Sequence, residues 1–114
     1  MKTNIANDFI SARIRTSTIL HELGLPVHRL GYKQLCVAIP LFSENGMLSL
    51  TKELYPFIAQ QFGCADWRSV EHTIRLAIMY AWENGDRSLW EAYFPYCKKP
   101  PSNKQFIATI AEYL

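Results

Sequence analysis

A chain of 114 residues, 49% apolar and with a net charge of +2, is long enough to bury one hydrophobic core and too short for two. Twelve Lys and Arg against ten Asp and Glu make it mildly basic, which suits a nucleic-acid partner without selecting one. The N-terminus MKTNIANDFISARIR has no apolar signal core, no run approaches the ~18 apolar residues of a membrane span, and Cys36, Cys64 and Cys97 form no CxxC. Neither a disulfide framework nor a zinc knuckle is indicated, so the expectation is a cytoplasmic protein without membrane contact.

In chain order the sequence predicts helices separated by strong stop signals, with almost no strand alternation. The first carries Ile19, Leu20 and Leu23 in TSTILHELGLP and stops at Gly24, with Pro26 two residues on; Gly adopts positive φ readily and Pro cannot continue the ladder. GYKQLCVAIPLF reads as a second, largely buried helix with Leu35, Ile39 and Phe42 on one side, and Pro40 is expected to kink or truncate it. SENG makes a turn. SLTKELYPFIAQQFG brings Leu50, Leu54, Ile58 and Phe62 round at helical spacing, with Pro56 in or bending the first turn and Gly63 closing the helix. The fourth helix, capped by Asp66 or Ser69 and ended by Asn84 and Gly85, has a core stripe of Trp67, Val70, Ile74, Ala77, Ile78 and Ala81. DRSLWEAYFPYC is a short fifth helix cut by Pro95. SNKQFIATIAEYL is a sixth, opened by a capping-box pattern from Ser102 to Gln105 and lining up Phe106, Ile110 and Leu114. KKPP at 98–101 is a stiff connector.

The other face of the fourth helix is polar. Arg68, Glu71, His72 and Arg75 fall within about a third of its circumference over two turns. Ahead of it, Ala59 offers a small side chain for a close helix crossing and Gly63 offers the turn, which is the layout of a helix-turn-helix. Arg suits guanine O6 and N7, a carboxylate suits cytosine N4, and cations suit phosphates. The stripe therefore supplies residue types that read DNA, and a solvated face of i,i+3 and i,i+4 charge pairs is the competing explanation. Other chemistry finds little support. HELGL begins like a zincin motif, yet the position four residues after His21 is Leu25. Cys64 and His72 lack a third group to orient them as nucleophile and base. No glycine-rich phosphate loop is present, so neither an enzyme nor a cofactor is expected. Lys98, Lys99 and Lys104 read as a solvated patch, with phosphate contact as the alternative.

The segments ILHELGLPVHRLGYKQLCVAI, SLTKELYPFIAQQF, VEHTIRLAIMYAWENGD and KPPSNKQFIATIAEYL resemble, in order, spacing and punctuation, the DNA-binding effector domain of stage zero sporulation protein A, the response regulator that controls entry into sporulation. The blocks HELGLPxHxxGY and LTKxLYPxIA are the most specific parts. The similarity spans residues 17–114 and leaves 1–16 as an N-terminal extension. It implies an all-α, compact six-helix domain containing a helix-turn-helix, and a transcriptional regulator whose partner is double-stranded DNA. Full-length regulators of this kind place a phosphorylatable receiver domain ahead of this region. About sixteen residues are too few to fold as one, so the expectation is a stand-alone domain without a phospho-switch.

The resemblance also has departures. The family's recognition helix carries Arg-Val-Glu-Arg, whose two arginines and glutamate contact bases, followed by an Arg that sits against the backbone. The matching residues here are Ser69, Val70, Glu71 and His72, then Arg75. Glu71 and Arg75 are retained, and both base-reading arginines are replaced, at about 1–3 kcal/mol for each lost guanine contact. The preceding turn is one residue longer, which gives Arg68 a route into the place Ser69 has left, although on an ideal helix it points about 100° away from it. A different site, weaker binding and loss of sequence-specific binding stay open. In the expected interface Arg68, Glu71 and His72 face bases with Ser69 beside them, while Arg75, Thr51 and Lys52 meet phosphates.

The resemblance further implies a contact from around Arg87, Trp90 and Glu91 to the promoter-recognition sigma subunit of RNA polymerase. The competing reading makes Leu89, Trp90 and Phe94 core residues. Related domains work in pairs on repeated half-sites, so a homodimer on DNA is among the expected partners. The alternative to a DNA-binding regulator is a protein-interaction module that kept the fold, lost specific reading, and acts on polymerase or another regulator.

Overall fold

The computed structural model describes residues 5–114 and contains no strand among them. Six α-helices follow in order: α1 Ile5–Glu22, α2 Leu30–Glu44, α3 Tyr55–Gln61, α4 Trp67–Asn84, α5 Arg87–Tyr93 and α6 Asn103–Ala111, with a single π-helical turn, Leu50–Leu54, running straight into α3. The fold is all-α, as the punctuation indicates.

The centre of the molecule is the pair α2 and α4. They touch so closely that a Cβ on Gly31 would lie 2.3 Å from the Thr73 carbonyl oxygen. α1 and α6 also pack on α2, and α3 packs on α4. The stripes expected from periodicity meet here: Leu20 and Leu23 of α1, Leu35 and Ile39 of α2, Ile58 of α3, Val70, Ile74 and Ile78 of α4, and Phe106 and Ile110 of α6 are all buried. Each such side chain contributes about 1.5–3 kcal/mol of burial relative to exposure. Phe42 and Leu54 join them, whereas Trp67, Leu50, Phe62 and Leu114 pack at the margin, half-buried.

Local chemistry sets the ends. α1 and α3 both close with a glycine at positive φ, Gly24 at 89° and Gly63 at 65°. In each case the next residue donates back five positions, Leu25 to Leu20 at 3.0 Å and Cys64 to Ala59 at 2.8 Å. This is the Schellman arrangement, which satisfies carbonyls the helix leaves open. Asp66 caps α4, Asp86 caps α5 and Ser102 caps α6 through their side-chain oxygens. For α4 this resolves the choice between Asp66 and Ser69, since Asp66 accepts from the amides of Arg68 and Ser69 at 2.9 and 3.2 Å. The capping box of α6 is half formed: Ser102 accepts from the Gln105 amide, while the Gln105 side chain turns to Cys97 Sγ.

Of the two outcomes expected at Pro40, a kink or a truncation, truncation does not occur, and α2 continues to Glu44. Pro40 removes one helical hydrogen bond, but Ile39, Pro40 and Phe42 are buried around it, and tertiary packing outweighs the local defect. Over the described residues α1 is continuous from Ile5 to Glu22.

The far ends of α1, α4 and α5 are knotted together. Trp90 is 0% exposed, and its indole N–H points at two carbonyl oxygens, Leu23 at 3.0 Å and Ala81 at 3.1 Å. Gly85 fills the gap beside it: a Cβ there would lie 2.2 Å from the Leu23 oxygen and 2.9 Å from the indole nitrogen. Trp82, Phe94 and Phe106 surround the ring with centroid distances of 5.3 to 5.7 Å, within the range for favourable aromatic pairs.

Candidate nucleic-acid interface

Pro56 shapes the entry to α3. Its ring would press on the carbonyl four residues back in a regular helix, and the preceding turn is widened instead: the Leu54 amide donates to Ser49 and the Tyr55 amide to Leu50. Ser49 starts this turn, its hydroxyl accepting from the Lys52 amide at 3.3 Å and its own amide donating to Glu53 Oε1 at 3.0 Å. Thr51 and Lys52 are thereby exposed at the start of the supporting element. After α3, the turn at 62–66 delivers the chain to Asp66 and α4.

The first turn of α4 rests on aromatic contact. Trp67 stacks on the buried Tyr55 with an interplanar angle of 9° and a centroid distance of 6.5 Å. The guanidinium of Arg68 lies 4.9 Å from the centre of the Trp67 ring, a cation–π contact that holds Arg68 at the start of the helix. Burial pushes the Tyr55 phenol up from its ordinary value of 10.0.

Beyond this turn the polar stripe is exposed at Arg68, Glu71 and His72 and half-buried at Ser69 and Arg75. Arg75 is already engaged: its Nη1 donates to the Pro101 carbonyl. One turn earlier, Asn103 Nδ2 donates to the Glu71 carbonyl at 3.0 Å. The 100–103 segment thus pins the middle of α4 from the side of α6. From the opposite side Thr73 donates to the side-chain oxygen of the buried Gln34 on α2.

Thr51, Glu71, His72 and Arg75 line one open groove of about 1620 Å³, and Lys98, Lys99 and Lys104 line it with them. That is larger than the roughly 300–1,000 Å³ of small-molecule pockets, and its shape suits a macromolecule. Its lining holds four cations, Arg75 and the three lysines, against one carboxylate, Glu71. Lys52, Arg68 and Ser69 lie outside the lining. The lysines, read from sequence first as a solvated patch, are carried round beside the polar face of α4 by the stiff Pro100–Pro101 connector. Tyr96, 95% exposed, stands on the same groove.

The surface around α5 needs a correction. Trp90 is wholly buried with its N–H occupied, because a seven-residue helix has few other apolar groups to bury, and it offers nothing to a partner. Arg87 and Glu91 are exposed. Arg87 covers the Trp82 ring at 4.5 Å and donates to the Trp82 carbonyl at 3.2 Å.

Six helices and no strand among the described residues make this an all-α domain, with a turn between α3 and α4 and a cationic groove beside α4 that are consistent with a helix-turn-helix. Residues 16–114 match the family described as sporulation initiation factor Spo0A C terminal, and the chain belongs to that family. The family is one of DNA-binding effector domains rather than of catalysts. Among the described residues no helix is long and apolar enough to cross a membrane.

Proposed function

We propose that this chain is a DNA-binding transcriptional regulator of the cytoplasm that lays the N-terminal half of α4 into the major groove. The observation that carries the reading is the single groove in which the exposed face of α4 meets Lys98, Lys99 and Lys104. A helix in the major groove needs flanking cations for the phosphates on either side. Lys98, Lys99 and Lys104 supply one flank, and Thr51 and Lys52 at the π turn supply another. In this reading Glu71 accepts from cytosine N4, with His72 and Arg68 on neighbouring bases and Ser69 beside them, which the exposure of Arg68, Glu71 and His72 supports. Arg75 meets a phosphate by sharing or releasing the Pro101 carbonyl.

The test is fluorescence anisotropy on random-sequence duplex DNA from about 50 to about 300 mM salt, followed by selection from a randomised duplex pool. Neutralising about five phosphates, through Lys52, Arg75, Lys98, Lys99 and Lys104, gives a slope of log affinity against log salt of about −4.5, taking about 0.9 per contact. No binding at the lowest salt would sink the proposal. Salt-dependent binding without any selected sequence would support the second reading, a module that kept the fold and acts on polymerase or another regulator. Ser69 and His72, standing where the family has base-reading arginines, are what favour that second reading.

A further inference from the structure

The side of the molecule formed by α1, α2 and the end of α3 has a second groove, of about 580 Å³, that shares no lining residue with the cationic one. Ile10 and Ile14 form its outer wall, one turn apart on α1 and 54% and 61% exposed. Its floor is Tyr32, Cys36 and Phe62. Covering two half-exposed isoleucines is favourable by the same physics that builds a core. This wall lies ahead of residue 16, where the family match begins, so the groove is completed by a part of α1 outside the matched region.

We propose that this groove docks an acidic amphipathic helix from another protein. The argument is charge complementarity around an apolar floor. Two cations, Arg13 and Lys33, stand in the lining, and no carboxylate does among the described residues. A helix fits such a groove with apolar residues at i, i+4 and i+7 against the floor, and its flanking positions then face Arg13 and Lys33, where Asp or Glu is attracted and Lys or Arg repelled. Nucleic acid would answer the cations but leave Ile10 and Ile14 against phosphate and sugar. A second copy of this chain, paired through the same face, sets Arg13 and Lys33 against each other across the twofold axis.

The test uses phage-displayed helical peptides with Leu fixed at i, i+4 and i+7 and with Glu, Lys or Gln drawn at random at the flanking positions. Selection on the wild-type chain should enrich Glu. A synthetic peptide of the enriched sequence should bind about tenfold or more weaker to Arg13→Glu/Lys33→Glu, and Lys-flanked peptides should win on that variant. Ile10→Ser/Ile14→Ser should abolish enrichment. All four side chains are surface groups, and circular dichroism with duplex-DNA binding checks that both variants remain folded. Enrichment without a charge preference, enrichment that survives the isoleucine substitutions, or no enrichment at all would overturn the proposal. So would dimerisation of the wild type in sedimentation that Ile14→Ser removes, because the occupant would then be a second copy. Duplex-DNA binding reads the other groove and stands or falls separately.

Discussion

The C-terminal end of α4 is held by the backbone at the end of α1 and by the buried Trp90 indole of α5, while its N-terminal end rests on one stacked ring and one capping carboxylate. At the far end Gly85 lies against the Leu23 carbonyl, and the Trp90 indole joins Leu23 and Ala81. At the near end Trp67 lies on Tyr55, and Asp66 holds two amides. The contrast separates labour along one helix. The far end supplies stability through atoms with no alternative partner, and the near end leaves Arg68, Glu71 and His72 in water, where a ligand can reach them.

The hardest way to break this division is at the anchor. Trp90→Ala removes a fully buried ring and takes the indole donor from the Leu23 carbonyl, the Ala81 carbonyl keeping the Gly85 amide, and is expected to cost about 3–5 kcal/mol in urea unfolding. A loss below about 1 kcal/mol would mean that the knot is not what fixes α4. Gly31→Ala drives a methyl into the Thr73 carbonyl and should cost about 1–3 kcal/mol by overpacking. It should also lower DNA affinity, because the helix must move to make room.

Changes at the near end should be smaller in stability and larger in binding. Asp66→Ala leaves the first amides of α4 uncapped, at about 1 kcal/mol. Its loss of DNA affinity should exceed that of an anchor mutation of equal stability effect; equal losses would erase the distinction between the two ends. Arg75→Ala should change stability by only about 0.5–1.5 kcal/mol through the lost Pro101 bond and flatten the salt dependence of DNA binding by about one contact. An unchanged slope would take Arg75 out of the interface.

Alkaline pH sharpens the comparison chemically. Burial raises the Cys36 thiol above its ordinary 9.0 and the Tyr55 phenol above 10.0. The folded chain then keeps protons that the unfolded chain releases, so stability is full below the unfolded values and is lost as pH rises through the raised folded ones. Urea midpoints should begin to fall near about pH 9 and steepen near about pH 10. Tyr55→Phe should remove part of the second step only. Trp90, Phe94 and Phe106 at the anchored end carry no group that titrates there. An alkaline limb identical in Tyr55→Phe would show that the near end has no part in it.

Which of these features can be read from sequence follows from how far apart their parts lie in the chain. The stop at Gly63, the cap at Asp66 and the apolar stripe of α4 are local and legible from spacing. The π turn is harder, since Pro56 announces a disturbance without saying how the chain absorbs it. Arg75 shows on a helical wheel as a free cation, and only folding brings the Pro101 carbonyl to it. Trp90 is ambiguous because a short helix can spend a tryptophan on the core or on a partner. The part of α1 ahead of residue 16 is hidden from periodicity, since Ile10 and Ile14 face water instead of joining the core stripe. The meeting of Lys98, Lys99 and Lys104 with α4 depends on the route of the connector, which no local rule describes.

Gly31 has a bearing on how such a domain changes its target. Because the spacing of α2 and α4 is set there by backbone against backbone, no larger side chain can be accommodated by a compensating trim on α4: the opposing atom is a carbonyl oxygen, common to every residue. The seat of the helix is therefore insulated from most sequence drift, whereas Arg68, Glu71 and His72 are exposed and Ser69 half-buried, so that exchanging them for other polar residues costs little stability. On a platform that does not shift, the exposed residues of the first two turns of α4 can be exchanged one at a time, and under the proposed function each exchange would alter what that face recognises.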